Sequence, residues 1–259
     1  MNPGDTQEAQ GSFDPEHFAR LYELEANSFW FRGRSDLIEW ALGHYFPNAR
    51  DFLEIGCGTG YVLSRLHTAF PQLTLSGSEL FEEGLAYARE RLGEAATLRQ
   101  LDATNLDCHE EFDAIGAFDV LEHIDRDTDV LRNIRTALRP GGGLLVTVPQ
   151  HAWLWSDTDV AAHHVRRYAR VELRDKLRAA GFEVLRMTSF VSLLLAAMWL
   201  ARRRRGDGMQ EVEAELALPG PVNAIGYAAL RVESVLIRFG INLPAGGSLL
   251  AIARKPVAG

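Results

Sequence analysis

The stretch Asp51-Phe52-Leu53-Glu54-Ile55-Gly56-Cys57-Gly58-Thr59-Gly60 decides how this chain folds. Phe52, Leu53 and Ile55 make a short apolar run that reads as a buried strand. Gly56 and Gly58 lack a Cβ, so the turn that follows can adopt unusual backbone angles and let a ligand approach the main chain. Residues 61–70 then place Val62, Leu63 and Leu66 on one side of a helix. The first N–H groups of such a helix have no partner within it and favour an anion. Strand, glycine turn and helix together predict a cofactor cradle.

Two kinds of cofactor use such a turn, and the third glycine separates them. A dinucleotide fingerprint G-x-G-x-x-G starting at Gly56 requires glycine at position 61, which is Tyr61, whereas E-x-G-x-G-x-G is complete from Glu54 to Gly60. Further along come Gly77-Ser78-Glu79, Leu101-Asp102-Ala103, Phe112-Asp113-Ala114-Ile115, Asp119-Val120-Leu121-Glu122-His123 and Arg139-Pro140-Gly141-Gly142. In order and spacing these motifs resemble the class I S-adenosylmethionine-dependent methyltransferases, over roughly residues 30–190.

Strand-like and helical runs alternate after the turn: 73–77 then 81–92, 97–101, 112–118 then 127–138, and 143–148 then 170–180. That alternation implies a parallel sheet. Residues 181–184 open a sixth strand and 247–254 read as a seventh; the resemblance makes these two the antiparallel end. The expected fold class is α/β, a Rossmann-like class I methyltransferase fold with a seven-stranded, mostly parallel sheet, helices on both faces and a helical insertion between strands 6 and 7. Upstream, Asp14-Pro15-Glu16 starts one helix, and residues 35–46 carry Leu37, Ile38, Trp40, Ala41, Leu42 and Tyr45 at the spacing of a second. The aromatics of residues 27–34 read either as packing across the domain edge or as a lid over the cofactor. The organisation expected is a disordered tail (1–12), N-terminal helices or lid (13–46), the S-adenosylmethionine-binding domain (47–189), the insertion (190–246) and the final strand with its tail (247–259).

In the family the last two strands are joined by a short connection, whereas roughly 55 residues intervene here, too many for an ordinary structureless loop. Residues 190–201 are apolar, 202–205 are all arginine, 206–221 are acidic and loop-like, and 222–239 are helical. As a helix the apolar stretch measures about 18 Å, short of a bilayer core of about 30 Å. Three readings stand: a helical cap on the acceptor pocket, a peripheral membrane contact through 190–205 with the arginines at lipid headgroups, and a dimer face.

The 259 residues, 47% of them hydrophobic, suffice for one α/β domain with additions. A formal net charge of -8 argues against a general nucleic-acid binder and leaves a small or lipid-like acceptor as partner. Cys57 and Cys108 lack metal-ligand spacing and fit a reducing cytoplasm. Residues 1–12 have neither the basic start nor the apolar run of a signal peptide. The expected location is cytoplasmic, with membrane association if the insertion docks there.

S-adenosylmethionine carries an amino-acid end, a sulfonium, a ribose diol and an adenine, each with its own demand. Gly56, Cys57, Gly58 and Gly60, with the helix end behind them, suit the carboxylate. Glu54 either orients the turn or receives the amino group. Glu79, with Leu80 beside it, ends the second strand; a carboxylate only accepts hydrogen bonds, so it suits a diol. The resemblance gives Asp102 the adenine amino group and Ala103 backbone contacts to the ring, although Asp102 can equally cap the helix after it. Asp119 ends the fourth strand, where the family places the methyl end and where negative charge favours a sulfonium.

On the acceptor side, similar Phe-Trp-Phe-x-x-Arg segments in a branch of the family put Trp30 and Arg34 near the substrate. Asp159-x(4)-His164-x-Arg166-Arg167-Tyr168 resembles a segment of a branch that modifies glycans, lipids and secondary metabolites. This reading makes His164 a base partnered by Asp159, with Arg167 and Tyr168 holding an anionic or hydroxylated substrate; the alternative is a salt-bridged loop. His123 either serves the acceptor or fixes its own loop. No metal is expected, because the order of Asp157, Asp159, His163 and His164 does not match metal-dependent O-methyltransferases.

The function expected is therefore a methyltransferase acting on an oxygen or carbon of a small or amphipathic acceptor, such as a metabolite, glycan or lipid. A non-catalytic S-adenosylmethionine-binding subunit is the alternative, and an NAD-dependent oxidoreductase a more distant one.

Overall fold

A computed structural model describes residues 15–204 and 217–257. The expected tail 1–12, Arg205 and the acidic stretch to residue 216 lie outside the described residues, as do the side chains of residues 202–204.

Seven strands form one sheet: β1 (Asp51–Ile55), β2 (Thr74–Glu79), β3 (Ala96–Gln100), β4 (Phe112–Phe118), β5 (Leu138–Pro149), β6 (Glu183–Phe190) and β7 (Ser248–Arg254). Their order is β3-β2-β1-β4-β5-β7-β6, parallel except for β7, which runs antiparallel to both neighbours. The fold is the one expected from the sequence. Successive strands step outward from β1 to β3, and the chain then returns to place β4 on the other side of β1. That reversal opens a crevice at the carboxyl ends of β1 and β4, the place where open α/β sheets bind ligands.

The strands are apolar on both faces because both are covered. Phe52 packs into a core with Leu42, Leu63 and Leu66 from α2 (Phe29–Tyr45) and α3 (Tyr61–Ala69). Its neighbour Leu53 points the other way, into a core with Val130, Ile134 and Leu173 from α5 (Asp127–Ala137) and α7 (Arg170–Ala179). The remaining helices are α1 (Pro15–Leu24), α4 (Glu82–Leu92), the short α6 (Asp157–Ala161), α8 (Leu195–Arg204) and α9 (Gly220–Arg238).

Two expectations are corrected. First, α2 starts at Phe29 rather than near residue 35, so Trp30, Phe31 and Arg34 ride on a helix. Its first N–H is taken by Asn223 Oδ1 of α9 at 2.6 Å, a cap supplied from 194 residues away. Gly33, which looks like a breaker in the sequence, admits Leu230: a Cβ there would stand 2.5 Å from Leu230 Cδ1. Second, the described part of the insertion, residues 190–204 and 217–246, does not line the pocket described below. Instead α9 buttresses the outer side of α2, with Gly226 under the Phe29 ring and the Tyr227 hydroxyl donating to Asp36 Oδ2 at 2.7 Å. Among the described residues no helix is long and apolar enough to cross a membrane.

Candidate functional site

A cavity of about 410 Å3 occupies the crevice, a size suited to a cofactor and part of an acceptor. Its floor is the glycine turn. Gly56, Gly58 and Gly60 all have positive φ (65°, 51° and 75°), a region costly for residues bearing a Cβ. At Gly56 a Cβ would meet Val120 Cγ2 at 2.5 Å, whereas at Gly58 nothing lies within 4 Å. The open side of Gly58 is thus where a ligand reaches the backbone. Cys57 is fixed by its N–H to Ser78 O at 2.9 Å, and its thiol is pushed up by burial.

Glu79 is buried and accepts from the N–H groups of Gly58 (2.9 Å), Leu80 (2.8 Å) and Phe81 (3.2 Å). It therefore shapes the turn, and of a carboxylate's roughly four lone-pair sites about one stays open for a ribose hydroxyl. Desolvation raises its pKa, against the pull of those three donors. Glu54 is also buried; burial pushes its pKa up to about 8, the Arg34 charge opposing, and its Oε2 has no hydrogen-bond partner. A buried orphan acceptor facing the cavity fits a donor such as the ammonium of an amino acid. Asp102 and Ala103 line one edge of the cavity, and Asp102 does cap: its Oδ1 accepts from Thr104 N at 2.8 Å. Leu80 lines the same edge. The donor set thus fits S-adenosylmethionine group by group. Tyr61, where a dinucleotide fingerprint needs glycine, instead lines the cavity and packs edge-on against Phe31.

The lid comes from the N-terminal helices. Phe18 and Leu21 of α1, Glu25 just after it, and Trp30, Phe31 and Arg34 of α2 line the cavity. Glu25 had no signal in the sequence; buried, it accepts from Thr59 Oγ1 at 2.6 Å and pairs with Arg91, tying the lid to the glycine turn. Arg34 is buried over Trp30, 4.4 Å from the ring centre, and is ion-paired with Asp119. Asp119 also accepts from Thr147 Oγ1 at 2.9 Å and holds a strained positive φ of 57°. Its charge is therefore matched by Arg34 rather than left for a sulfonium, and Arg34 is committed to Asp119.

Opposite the lid, His123 and His164 meet with ring centres 4.8 Å apart, both on the cavity wall. His164 Nδ1 lies 2.8 Å from Asp159 Oδ1. A carboxylate can only accept, so Nδ1 carries the proton and Nε2 is the ring nitrogen left for a partner. Burial pushes the pKa of His123 down to about 4, with His164 adding to the effect. Glu122, between these groups, is fully buried, and neither carboxylate oxygen has a hydrogen-bond partner; burial, reinforced by Asp119, raises its pKa well above the usual range. The Glu122-His123 pair at the end of β4 was its visible sign in the sequence, read for His123 alone.

Arg167 and Tyr168 do not hold an acceptor. Arg167 is buried, donating from Nε to Asp159 Oδ1 at 2.7 Å and from Nη1 to Gln150 O at 3.0 Å. Tyr168 is wholly buried and donates to Asp127 Oδ2 at 2.6 Å. A bridge between Gln150 and Tyr168 draws this segment against the sheet and turns both side chains inward. Asp159 is spent on His164, Arg167 and the Ser156 cap, so the four residues considered for a metal do not converge.

Glu54 gives a pH-dependent expectation. A carboxyl whose folded pKa is raised contributes stability below its unfolded pKa and loses it as pH rises through about 8. Without cofactor, Glu54→Gln is thus expected to raise Tm by several degrees at pH 8 and above, and to leave it nearly unchanged near pH 5. If an ammonium settles beside Glu54, binding between those pH values releases a proton. Titration calorimetry in buffers of different ionisation enthalpy checks this, and equal apparent enthalpies in all buffers would refute it.

The methyltransferase-domain family matches residues 23–187. A probable S-adenosylmethionine-dependent methyltransferase of Mycolicibacterium smegmatis is 30% identical over 170 residues, covering 62% of this chain and 62% of that protein, so the match spans less than two thirds of the relative. The 27-O-demethylrifamycin SV methyltransferase of Amycolatopsis mediterranei is 28% identical over 220 residues, covering 79% of this chain and 76% of that one. Among solved structures, the [4+2]-cyclase SpnF superposes with a TM-score of 0.58 at 25% identity, covering 86% of this chain and 81% of its own. With the glycine turn, the carboxylates at the ends of β1 and β2 and this family match in hand, the chain belongs to the S-adenosylmethionine-dependent methyltransferase family.

Proposed function

We propose that this protein transfers a methyl group from S-adenosylmethionine to an oxygen or acidic carbon of a small or amphipathic acceptor. One observation carries the reading: a single cavity joins a carboxylate-lined cofactor cradle to a carboxylate-held histidine, His164, whose Nε2 is left for a partner. The cofactor supplies an activated methyl group on a sulfonium, which leaves as a neutral thioether when the acceptor's electron pair takes the methyl. Glu79 would hold the ribose and Glu54 the ammonium of the cofactor, which together would orient the sulfonium between them. Trp30, Phe31 and α1 exclude water from above. His164 stands where an acceptor's proton must go, and Asp159 keeps its ring in the tautomer that can take it.

A [4+2]-cyclase shares this fold, so fold alone does not decide for transfer. The oxygen preference draws support from the histidine pair and from the Amycolatopsis relative, whose name describes methylation at an oxygen. An amphipathic acceptor or a membrane-side encounter draws support from large apolar side chains exposed at Trp153, Leu193, Trp199 and Leu200.

The test is S-adenosylhomocysteine formation with a panel of hydroxylated amphipathic compounds. Once an acceptor is found, His164→Ala is expected to lower kcat by about 100-fold, the usual worth of a general base, with cofactor affinity within about twofold. An unchanged rate would make His164 a loop-holding residue only.

A further inference from the structure

The methyl-transfer reading leaves Glu122 and His123 without a task, and with His164 they form a group in which the same Nε2 would hold an ion in place of a proton. We propose that Glu122, His123 and His164 bind one divalent transition-metal ion, of the manganese, iron, cobalt or zinc kind, at the acceptor end of the cavity. Each of the three offers a donor atom, and these atoms all lie within 4.8 Å of one another. Metal bonds of about 2.0–2.2 Å ask for donors roughly 3–4 Å apart, so the three side chains would have to draw together as the ion binds.

Three independent features point to a cation. Glu122 is fully buried, yet neither of its oxygens has a hydrogen-bond partner. Buried carboxylate oxygens are rarely left so, and a metal ion answers both the charge and the missing contacts. Next, both histidines are held by an outer contact, as metal-ligating histidines usually are: His164 by the Asp159 carboxylate and His123 by the backbone of His163. Finally, the two loops are joined at the site itself, Val165 N–H donating to Glu122 O at 2.8 Å, which keeps the three side chains near one another.

Two nitrogens and one carboxylate favour a first-row transition ion over magnesium or calcium, which prefer oxygen. Three protein ligands also leave coordination positions open. His123 and His164 line the cavity, so a hydroxyl or enol oxygen of the acceptor would complete the set. Assigning the ion to the acceptor rests on the methyl-transfer reading above; the metal site itself does not.

Cobalt(II) is the probe, because its visible absorption reports coordination directly. Chelator-stripped protein is titrated with cobalt(II), followed by absorption and by metal analysis after gel filtration, and separately with S-adenosylhomocysteine. One cobalt per chain is expected, weakened at least about tenfold in Glu122→Gln and in His123→Ala, while both variants bind S-adenosylhomocysteine within about twofold of the original. Should Glu122→Gln not fold by circular dichroism, His164→Ala carries the same comparison. No cobalt retained by the original protein, or equal retention by the folded variants, overturns the site. Cobalt bound with no S-adenosylhomocysteine binding overturns the methyl-transfer reading and leaves the metal site standing.

Discussion

Replacing Glu79 with alanine is expected to weaken S-adenosylmethionine binding by roughly 10- to 100-fold. A ribose hydroxyl donating to the open site of the carboxylate makes a charge-assisted bond of about 1.5–3 kcal/mol. The structure adds a second effect. Glu79 accepts from the N–H groups of Gly58, Leu80 and Phe81, so the alanine variant also leaves these three backbone donors without their carboxylate. Its Tm without cofactor is expected to fall, and the glycine turn to lose order. Glu79→Gln separates the two effects, since it keeps an acceptor oxygen for the turn while giving up the charge and one acceptor site. Affinity equal to the original in Glu79→Ala would refute the ribose assignment.

The second large effect is expected at Asp159. This carboxylate is 1% exposed and holds Arg167, which is itself buried, together with His164 and the start of α6. Asp159→Ala leaves a buried guanidinium without its anion, a change that typically costs about 3–5 kcal/mol. For a chain of this size that lowers Tm on the order of 10 °C. Asp159→Asn keeps the shape, so it is expected to fold better while allowing the His164 ring to take the wrong tautomer. Turnover in Asp159→Asn should therefore fall with little change in cofactor affinity. Thermal melts of both variants, with S-adenosylhomocysteine titrations alongside, check this; a Tm shift under about 2 °C in Asp159→Ala would remove Asp159 from the role given to it.

What could be read from the sequence was local. The glycine turn, Glu54, Glu79 and Asp102 each sit at the end of a strand in a pattern only a few residues long, and strand ends in this topology converge on one crevice. Asp159 and His164 are five residues apart and meet within one loop. What escaped was nonlocal. Arg34 was read as a substrate contact, but its partner Asp119 lies 85 residues away. The cap that starts α2 at Phe29 comes from Asn223, and Gly33 packs against Leu230, both far along the chain. Arg167 and Tyr168 were misplaced for another reason: a polar run does not say which side chains turn inward, and the bridge at Gln150 decides it. Of the three readings of the insertion, the cap is the one its described residues do not support, since an amphipathic helix announces that it will pack but not on what.

The central claim is that the cavity over the glycine turn binds S-adenosylmethionine. The most direct test is calorimetric titration of the purified protein with S-adenosylmethionine, S-adenosylhomocysteine and NAD in parallel. Saturable one-to-one binding of the two sulfur compounds, with none of NAD, is the expected result. Binding of NAD alone, or of none of the three, would contradict the assignment of Glu54, Gly58 and Glu79.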